Sequence, residues 1–232
     1  MLRVIAIDGP AASGKSSTAA QVARRLGWAH LDSGALYRAL TLAALDNPRD
    51  AGSAMRDAWS VQKILALAED LPVRLVLVGD VFRPEVAGVD VEQAIRSERV
   101  THHVSAIAAI PEVRTWVNAQ QRRAAEEHPG GVVVDGRDIG TVVFPEAPLK
   151  VFLTATADER ARRRLSQRGQ ATDQERLRRE SRALSARDEA DSTRPVAPLK
   201  PATDAIPLDS TALTLDEQVA RVVELARHRF PG

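Results

Sequence analysis

Residues 9–16 read Gly9-Pro10-Ala11-Ala12-Ser13-Gly14-Lys15-Ser16, which satisfies every fixed position of the phosphate-loop pattern G-x-x-x-x-G-K-[ST]. Glycines let such a loop turn tightly enough for successive backbone N–H groups to converge on phosphate oxygens. A helix starting at Lys15 adds the positive end of its dipole. Lys15 is then expected to reach the β- and γ-phosphates of ATP, and the Ser16 hydroxyl to face Mg2+. Gly9, Pro10, Ala11, Ala12, Ser13, Gly14, Lys15, Ser16 and Ser17 form the expected ATP-binding loop. No Asn-Lys-x-Asp guanine reader, hydrolytic Asp-Glu pair or Leu-Ser-Gly-Gly signature accompanies it.

Two further segments carry charge suited to an anionic acceptor. Leu31-Asp32-Ser33-Gly34-Ala35-Leu36-Tyr37-Arg38 follows one short apolar run, and Asp135-Gly136-Arg137-Asp138-Ile139-Gly140-Thr141 follows another. Ligands of α/β sheets gather at the carboxyl ends of the strands, so Arg38, Arg137, Asp135 and Lys15 are expected to approach one crevice. Phosphoryl transfer spreads negative charge over the moving group, and its catalysts use converging cations and a metal rather than a covalent nucleophile. Arginine suits a phosphate clamp because its planar fork donates two hydrogen bonds at once. Asp135 ends an apolar run and is expected to reach Mg2+ through water.

These loops need a sheet to hang from. Short β-branched runs alternate with longer helical stretches, the pattern of a parallel sheet covered on both faces. Five strands are expected, at Val4–Asp8, Ala29–Asp32, Val132–Asp135, Lys150–Leu153 and Ala205–Leu208. Helices are expected at Lys15–Leu26, Ala35–Leu45, Ala58–Glu69, Glu112–Glu127, Ala157–Gln167, Asp173–Ala186 and Leu215–Arg229. Thr214 and Glu217 have the spacing of a capping box. One stretch breaks the rhythm: Pro72–Gly79, Asp80–Val86 and Gly88–Val91 alternate with period two around turn residues, which predicts a small antiparallel meander. Asp188–Pro201, rich in turn formers, reads as a mobile loop.

With 232 residues, 44% of them hydrophobic and 27% charged, the chain has globular composition. A net charge of +1 offers no broad field for a nucleic-acid backbone. There is no cysteine, which removes disulfides and thiolate chemistry and fits a reducing, cytoplasmic setting. No apolar run approaches the roughly 20 residues of a membrane span. His102-His103 is read as a surface or interface pair, and Trp28, Trp59 and Trp116 as residues in or near the core.

In order along the chain, several segments resemble the bacterial cytidylate kinases. They are Ile7-Asp8-Gly9-Pro10 through Ser16; Leu31-Asp32-Ser33-Gly34 with Tyr37-Arg38; the meander; Ser105 with Val113-Arg114; Asp135-Gly136-Arg137-Asp138 with Gly140–Pro145; Arg187-Asp188; and Asp191-x-x-Arg194 with Val196–Leu199. The resemblance implies a three-layer nucleoside-monophosphate-kinase fold with a five-stranded parallel sheet, a β-meander insert and an Arg-rich lid. It implies a single domain, with core 1–34, 129–156 and 202–232, an acceptor region of about 35–128 and a lid of about 157–201. It gives the CMP phosphate to Arg38, Arg137 and Arg194, the ribose to Ser33, Arg187 and Asp191, and the cytosine edge to Ser105, Arg114 and Asp138. Lys15, Arg137, Arg194 and Asp135 are the expected catalytic set. An acidic acceptor for the cytosine amino group, with donors for N3 and O2, would favour cytosine over uracil.

Arg160 and Arg164 stand one helical turn apart and are expected to meet ATP phosphates when the lid closes, while Arg162 and Arg168 are read as solvated. The donor adenine is expected near Asp209-Ser210-Thr211. The expected reaction is transfer from Mg·ATP to CMP or dCMP by a monomer without nucleic-acid or membrane partners. The alternatives are a kinase for UMP, AMP or shikimate, a nucleotide switch lacking transferase activity, and an RNA-associated protein.

Overall fold

The first strand, β1 (Val4–Asp8), is buried at all five residues, as a Val-Ile-Ala-Ile run must be when a sheet is covered on both faces. It comes from a computed structural model that describes residues 3–47 and 61–231. Helix α1 (Lys15–Leu26) follows, burying Thr18, Ala19, Val22 and Ala23 on one face. It stops at Gly27, whose left-handed φ of 65° closes the helix. Strand β2 (Ala29–Asp32) comes next.

The chain divides into two compact units, Met1–His30 with Pro129–Gly232, and Leu31–His128. In the second unit, α2 (Ser33–Asp46) is capped by the Asp32 side chain, which accepts from Gly34 N–H at 2.9 Å. Helix α3 (Val61–Asp70) leads into the meander of β3 (Val73–Val78), β4 (Val81–Val86) and the short β5 (Val89–Asp90). Its register is antiparallel, Val73 opposite Val86 and Glu85 opposite Asp90. Helices α4 (Glu98–Ala108) and α5 (Pro111–Glu127) complete the unit. Leu36, Leu40, Ile64, Ile95, Ile107 and Val113 are among its core residues.

The first unit resumes with β6 (Val132–Gly136), a π-helical turn over Ile139–Val143, β7 (Leu149–Thr154), α6 (Ala157–Gln167), α7 (Gln174–Thr193), β8 (Ile206–Asp209) and α8 (Leu215–Arg229). The strands β2-β6-β1-β7-β8 are neighbours in that order, in a sheet that counts eight strands among the described residues where five were expected. The β1–β6, β1–β7 and β7–β8 pairings are parallel, with Ile7 opposite Asp135 and Asp8 opposite Gly136. That register brings the end of β1, where the phosphate loop starts, level with the start of the Asp135–Asp138 segment. The capping box at Thr214 and Glu217 is formed.

Two expectations change. Helix α7 runs through Thr193 rather than ending at Ala186, and Leu199, itself buried, donates its N–H to the Asp191 carbonyl at 2.9 Å. The Asp188–Pro201 stretch is therefore helix followed by a tied-back turn, because Asp188 and Asp191 find partners that hold the helix on. Helix α4 was not anticipated, although Val100, Val104 and Ile107 bury one of its faces. The predicted helix from Ala58 begins, among the described residues, at Val61; residues 58–60, Trp59 included, lie outside them. Among the described residues no helix is long and apolar enough to cross a membrane.

Trp28 and Trp116 pack in or against the two cores, while His102 and His103 meet edge to face on α4. Trp28 also meets Phe230 edge to face at 5.0 Å and lies under the Arg3 guanidinium. Gly131 packs against the same indole so closely that a Cβ there would fall 2.1 Å from a ring carbon. Gly131→Ala is therefore expected to lose about 1–3 kcal/mol of stability through overpacking, read as a lowered midpoint in thermal or urea unfolding.

Candidate active site

The phosphate loop is positioned by its first glycine. Gly9 has φ 153°, and a Cβ there would lie 2.1 Å from the Leu153 carbonyl oxygen, so only glycine lets the chain leave β1 against β7. Ala12 and Gly14 also take positive φ, 59° and 96°. Lys15 is buried and donates from Nζ to the Pro10 carbonyl at 2.8 Å, which folds its ammonium back across the loop.

Asp135 stands at the mouth of that loop. One carboxylate oxygen accepts from Ser16 Oγ at 2.6 Å and the other lies 2.8 Å from His30 Nε2. Burial works against the Asp135 charge. The hydrogen bond and charge of His30, the Ser16 hydrogen bond and the charge of Lys15 together outweigh it, and the carboxyl is held below the usual carboxylate range. An ionised carboxylate beside a hydroxyl is a hard-oxygen donor set. It suits Mg2+, which keeps several waters and leans on one or two protein oxygens and the nucleotide phosphates. Ser16 and Asp135 thus fit the ion expected from the sequence.

The loop after β6 is held from below by Asp8. Its two carboxylate oxygens accept from Ile139 N–H at 2.8 Å and Gly140 N–H at 2.7 Å. Burial pushes the Asp8 carboxyl up to about 6; the two backbone hydrogen bonds oppose that rise, the nearby Asp138 charge adds to it and Lys15 subtracts.

Above this loop, α7 brings carboxylates and arginines together at three-residue spacing. Asp188 accepts from Ala11 N–H at 3.0 Å and pairs with Arg160. Asp191 accepts from Arg137 Nε at 3.0 Å. Arg194, at the helix end, lies 3.5 Å from Asp138 and donates to the Ala197 carbonyl. The structure therefore gathers Arg137, Asp138, Asp191 and Arg194 in one ion-pair group, with Arg187 on the same helix. Arg164 pairs with Glu180 at 2.8 Å. Burial first, then the positive charges of Arg168 and Arg137, depress its guanidinium below the ordinary value against the pull of Glu180. Cations that disfavour one another this way favour an anion among them. Arg160, expected at ATP phosphates, is buried and donates to the Ala11 and Ala155 carbonyls at 3.0 and 3.1 Å. Arg162 is exposed beside Glu159, and Arg168 pairs with Glu180.

The second unit carries the remaining candidates. Arg38 donates to Thr101 Oγ1 at 2.9 Å and the Ile95 carbonyl at 3.2 Å. Ser105 is exposed one turn further along α4. Arg114 is buried, donates to the Ala108 carbonyl at 3.0 Å and lies over the Tyr37 ring. Ser33 is buried, its carbonyl accepting from Gln121 Nε2 at 3.0 Å.

Sequence reasoning passed over His30 and Arg96, and named Arg163 only with Arg160 and Arg164 as arginines on adjacent turns of the lid helix. Arg96 pairs with both Glu92 and Asp32, so it holds the cap beside Ser33. Its guanidinium is raised above its ordinary value, burial opposing and Asp32 and Glu92 prevailing. The signal available for His30 was a polar residue inside a buried four-residue strand. Arg163 donates to Ser210 Oγ at 3.0 Å and to the Ser13 and Ser210 carbonyls. It lines a cavity of about 770 Å³ with Gly14, Ser17, Gln170, Leu213 and Gln218. The 209–211 turn does not line this cavity: Ser210 is buried and bonded to the Thr154 and Ser13 carbonyls.

A family model described as cytidylate kinase matches residues 5–228. The chain belongs to the cytidylate kinase family. It is 47% identical over 230 residues to a cytidylate kinase of Pseudomonas syringae pv. tomato, covering 99% of this chain and 97% of that protein. It is 45% identical over 238 residues to one of Streptococcus pneumoniae, covering 97% and 98%. The crystal structure of an uncharacterized protein from Eubacterium ventriosum shares the fold alone, at a TM-score of 0.52 and 12% identity over 99% of this chain and all of that one.

Asp8 generates a pH prediction for this member of the cytidylate kinase family. Its folded value, about 6, lies above the ordinary carboxylate value of 3.8, so its contribution to stability is fully present below about 3.8 and lost as pH rises through about 6. The stability of the wild type relative to Asp8→Asn is expected to fall by on the order of 2–3 kcal/mol between pH 4 and 7, measured by urea unfolding of both proteins across that range.

Proposed function

We propose that this chain transfers the γ-phosphate of ATP to CMP or dCMP, giving ADP and CDP or dCDP. The observation that carries the reading is an intact phosphate loop in the same unit as the Arg137, Asp138, Asp191 and Arg194 ion-pair group, within a chain of the cytidylate kinase family. ATP would lie with its phosphates on the amides of residues 12–17 and its adenine in the cavity beside Leu213 and Gln218. Mg2+ would be held by Ser16 directly and Asp135 through water, where it neutralises charge on the β- and γ-phosphates.

On the acceptor side, Arg38, Arg137 and Arg194 are assigned to the CMP phosphate, for which Arg137 and Arg194 would exchange a carboxylate partner. An oxygen of that phosphate attacks the γ-phosphorus in line. The bond to the ADP oxygen breaks, and Lys15 stabilises charge on the leaving side. No protein nucleophile takes part. Arg187, Asp191 and Ser33 are assigned to the ribose. Asp138 is assigned to the cytosine amino group, Ser105 and Arg114 to N3 and O2; uracil would set a carbonyl against Asp138 and be repelled. Arg164, paired with Glu180, is assigned to the donor phosphates when the lid closes. The lack of cysteine supports a cytoplasmic setting.

A coupled ADP-release assay with ATP and a panel of monophosphates is expected to rank CMP and dCMP well ahead of UMP and AMP; an equal rate with UMP would overturn the acceptor assignment. Asp138→Ala is expected to cut the CMP-over-UMP preference by about 10–100-fold while ATP binding stays intact. Lys15→Ala is expected to slow transfer to every acceptor by about 10²–10³-fold or more, and near-normal turnover in that variant would reject the donor site.

A further inference from the structure

One peptide of the phosphate loop is gripped from both sides. The Ala11 N–H donates to Asp188 and the Ala11 carbonyl accepts from Arg160. The Arg160 and Asp188 side chains also bond each other, closing a triangle of three polar contacts. Arg160 is tied further to the Ala155 carbonyl at 3.1 Å. Both charged side chains are largely buried, at 8% and 17% exposure. A buried ion pair costs desolvation and repays it only with good geometry and further hydrogen bonds. Here the further bonds go to the backbone of a loop 149 and 177 residues away in sequence.

The apolar contacts agree. Ala11, Ala161 and Leu184 form a small buried cluster, with Ala12 and Leu177 packed against it. The next residue, Ala12, holds φ 59°, a left-handed conformation that a side-chain-bearing residue keeps only when its surroundings impose it. Beyond Ala12 come Ser13, Gly14 and Lys15, whose amides face the phosphates in the donor reading. The grip therefore lies on the residue before the strained turn, outside the cradle itself.

We propose that Arg160 and Asp188 are positioning residues that clamp Ala11 and thereby hold the phosphate loop in its anion-binding shape, and that Arg160 acts through the loop backbone rather than on the ATP phosphates. Asp188 is the first member of the three-residue ladder on α7. The clamp therefore also sets the donor loop in register with the residues assigned to the acceptor. The inference rests on the donor reading of the phosphate loop.

The test is the sign of one substitution. If Arg160 were a phosphate ligand restrained by Asp188, then Asp188→Ala would release it, and ATP would bind as tightly or more tightly. If the pair clamps the loop, Asp188→Ala weakens ATP binding. Equilibrium titration with a fluorescent ATP analogue and unlabelled ATP, with no acceptor present, reads this directly. We expect about a tenfold rise in the ATP dissociation constant for Asp188→Ala and for Arg160→Ala, with the double variant no weaker than either alone. Asp188→Asn keeps an acceptor for Ala11 N–H in nearly the same shape and should lose less, which separates the clamp from a failure to fold. In turnover, Arg160→Ala should raise KM for ATP and leave KM for CMP within twofold. Unchanged or tighter ATP binding in Asp188→Ala, or additive losses in the double variant, would overturn the clamp. A wild-type chain that binds ATP but does not phosphorylate CMP would overturn the proposed acceptor while leaving the clamp standing.

Discussion

Positive charge gathered in one place repels itself, and the arginines of the first unit can stand together because carboxylates are interleaved among them. Arg160 has Asp188, Arg137 has Asp191, Arg194 has Asp138, and Arg164 has Glu180. Three of these four carboxylates come from α7. Burial first, then the charges of Arg168 and Arg137, hold the Arg164 guanidinium below its ordinary value against the pull of Glu180. Under the proposed function, an incoming phosphate would replace a carboxylate in such an arrangement instead of entering an empty cationic hole. The cost of charging the site is met by the fold and not by the substrate.

The sheet is the other half of that arrangement. Parallel pairing of β1 with β6, in the register Ile7 to Asp135 and Asp8 to Gly136, fixes the two loops that follow those strands at the same height. Asp8 then bonds the far loop through two backbone N–H groups, and Asp135 bonds Ser16 of the near one. Each loop is held by a carboxylate belonging to the other strand. Neither loop needs a long ordered sequence of its own, which is why both can be short and glycine-containing.

Much of this was legible in the sequence. The five expected strands fall within one residue of their places, because short apolar runs bounded by turn residues favour strand over helix. The phosphate loop was legible because its glycines answer to backbone geometry, Gly9 against the Leu153 carbonyl above all. The length of α7 was not. Asp188, Asp191, Ser192 and Thr193 are poor local helix formers, and the partners Arg160, Ala11 and Arg137, all distant in sequence, hold the helix on through them. The same limit applies to Arg160. Its spacing from Arg164 marked a helix face, but spacing carries no record of which acceptor a guanidinium will find. His30 and Arg96 were passed over for a related reason: each acts on a neighbour's carboxylate, and a residue that orients another leaves no motif of its own.

The three-residue spacing on α7 makes that helix a gauge of phase. A helical residue turns the chain by about 100°, so a single residue added or lost between Asp188 and Arg194 would carry one part of the set off to the flank while the other stayed. Changes of length before Asp173 or after Leu199 alter only the approach to the gauge. Divergence in length among relatives should accumulate outside this helix and leave the interval between Asp188 and Arg194 constant, even where its intervening residues change freely.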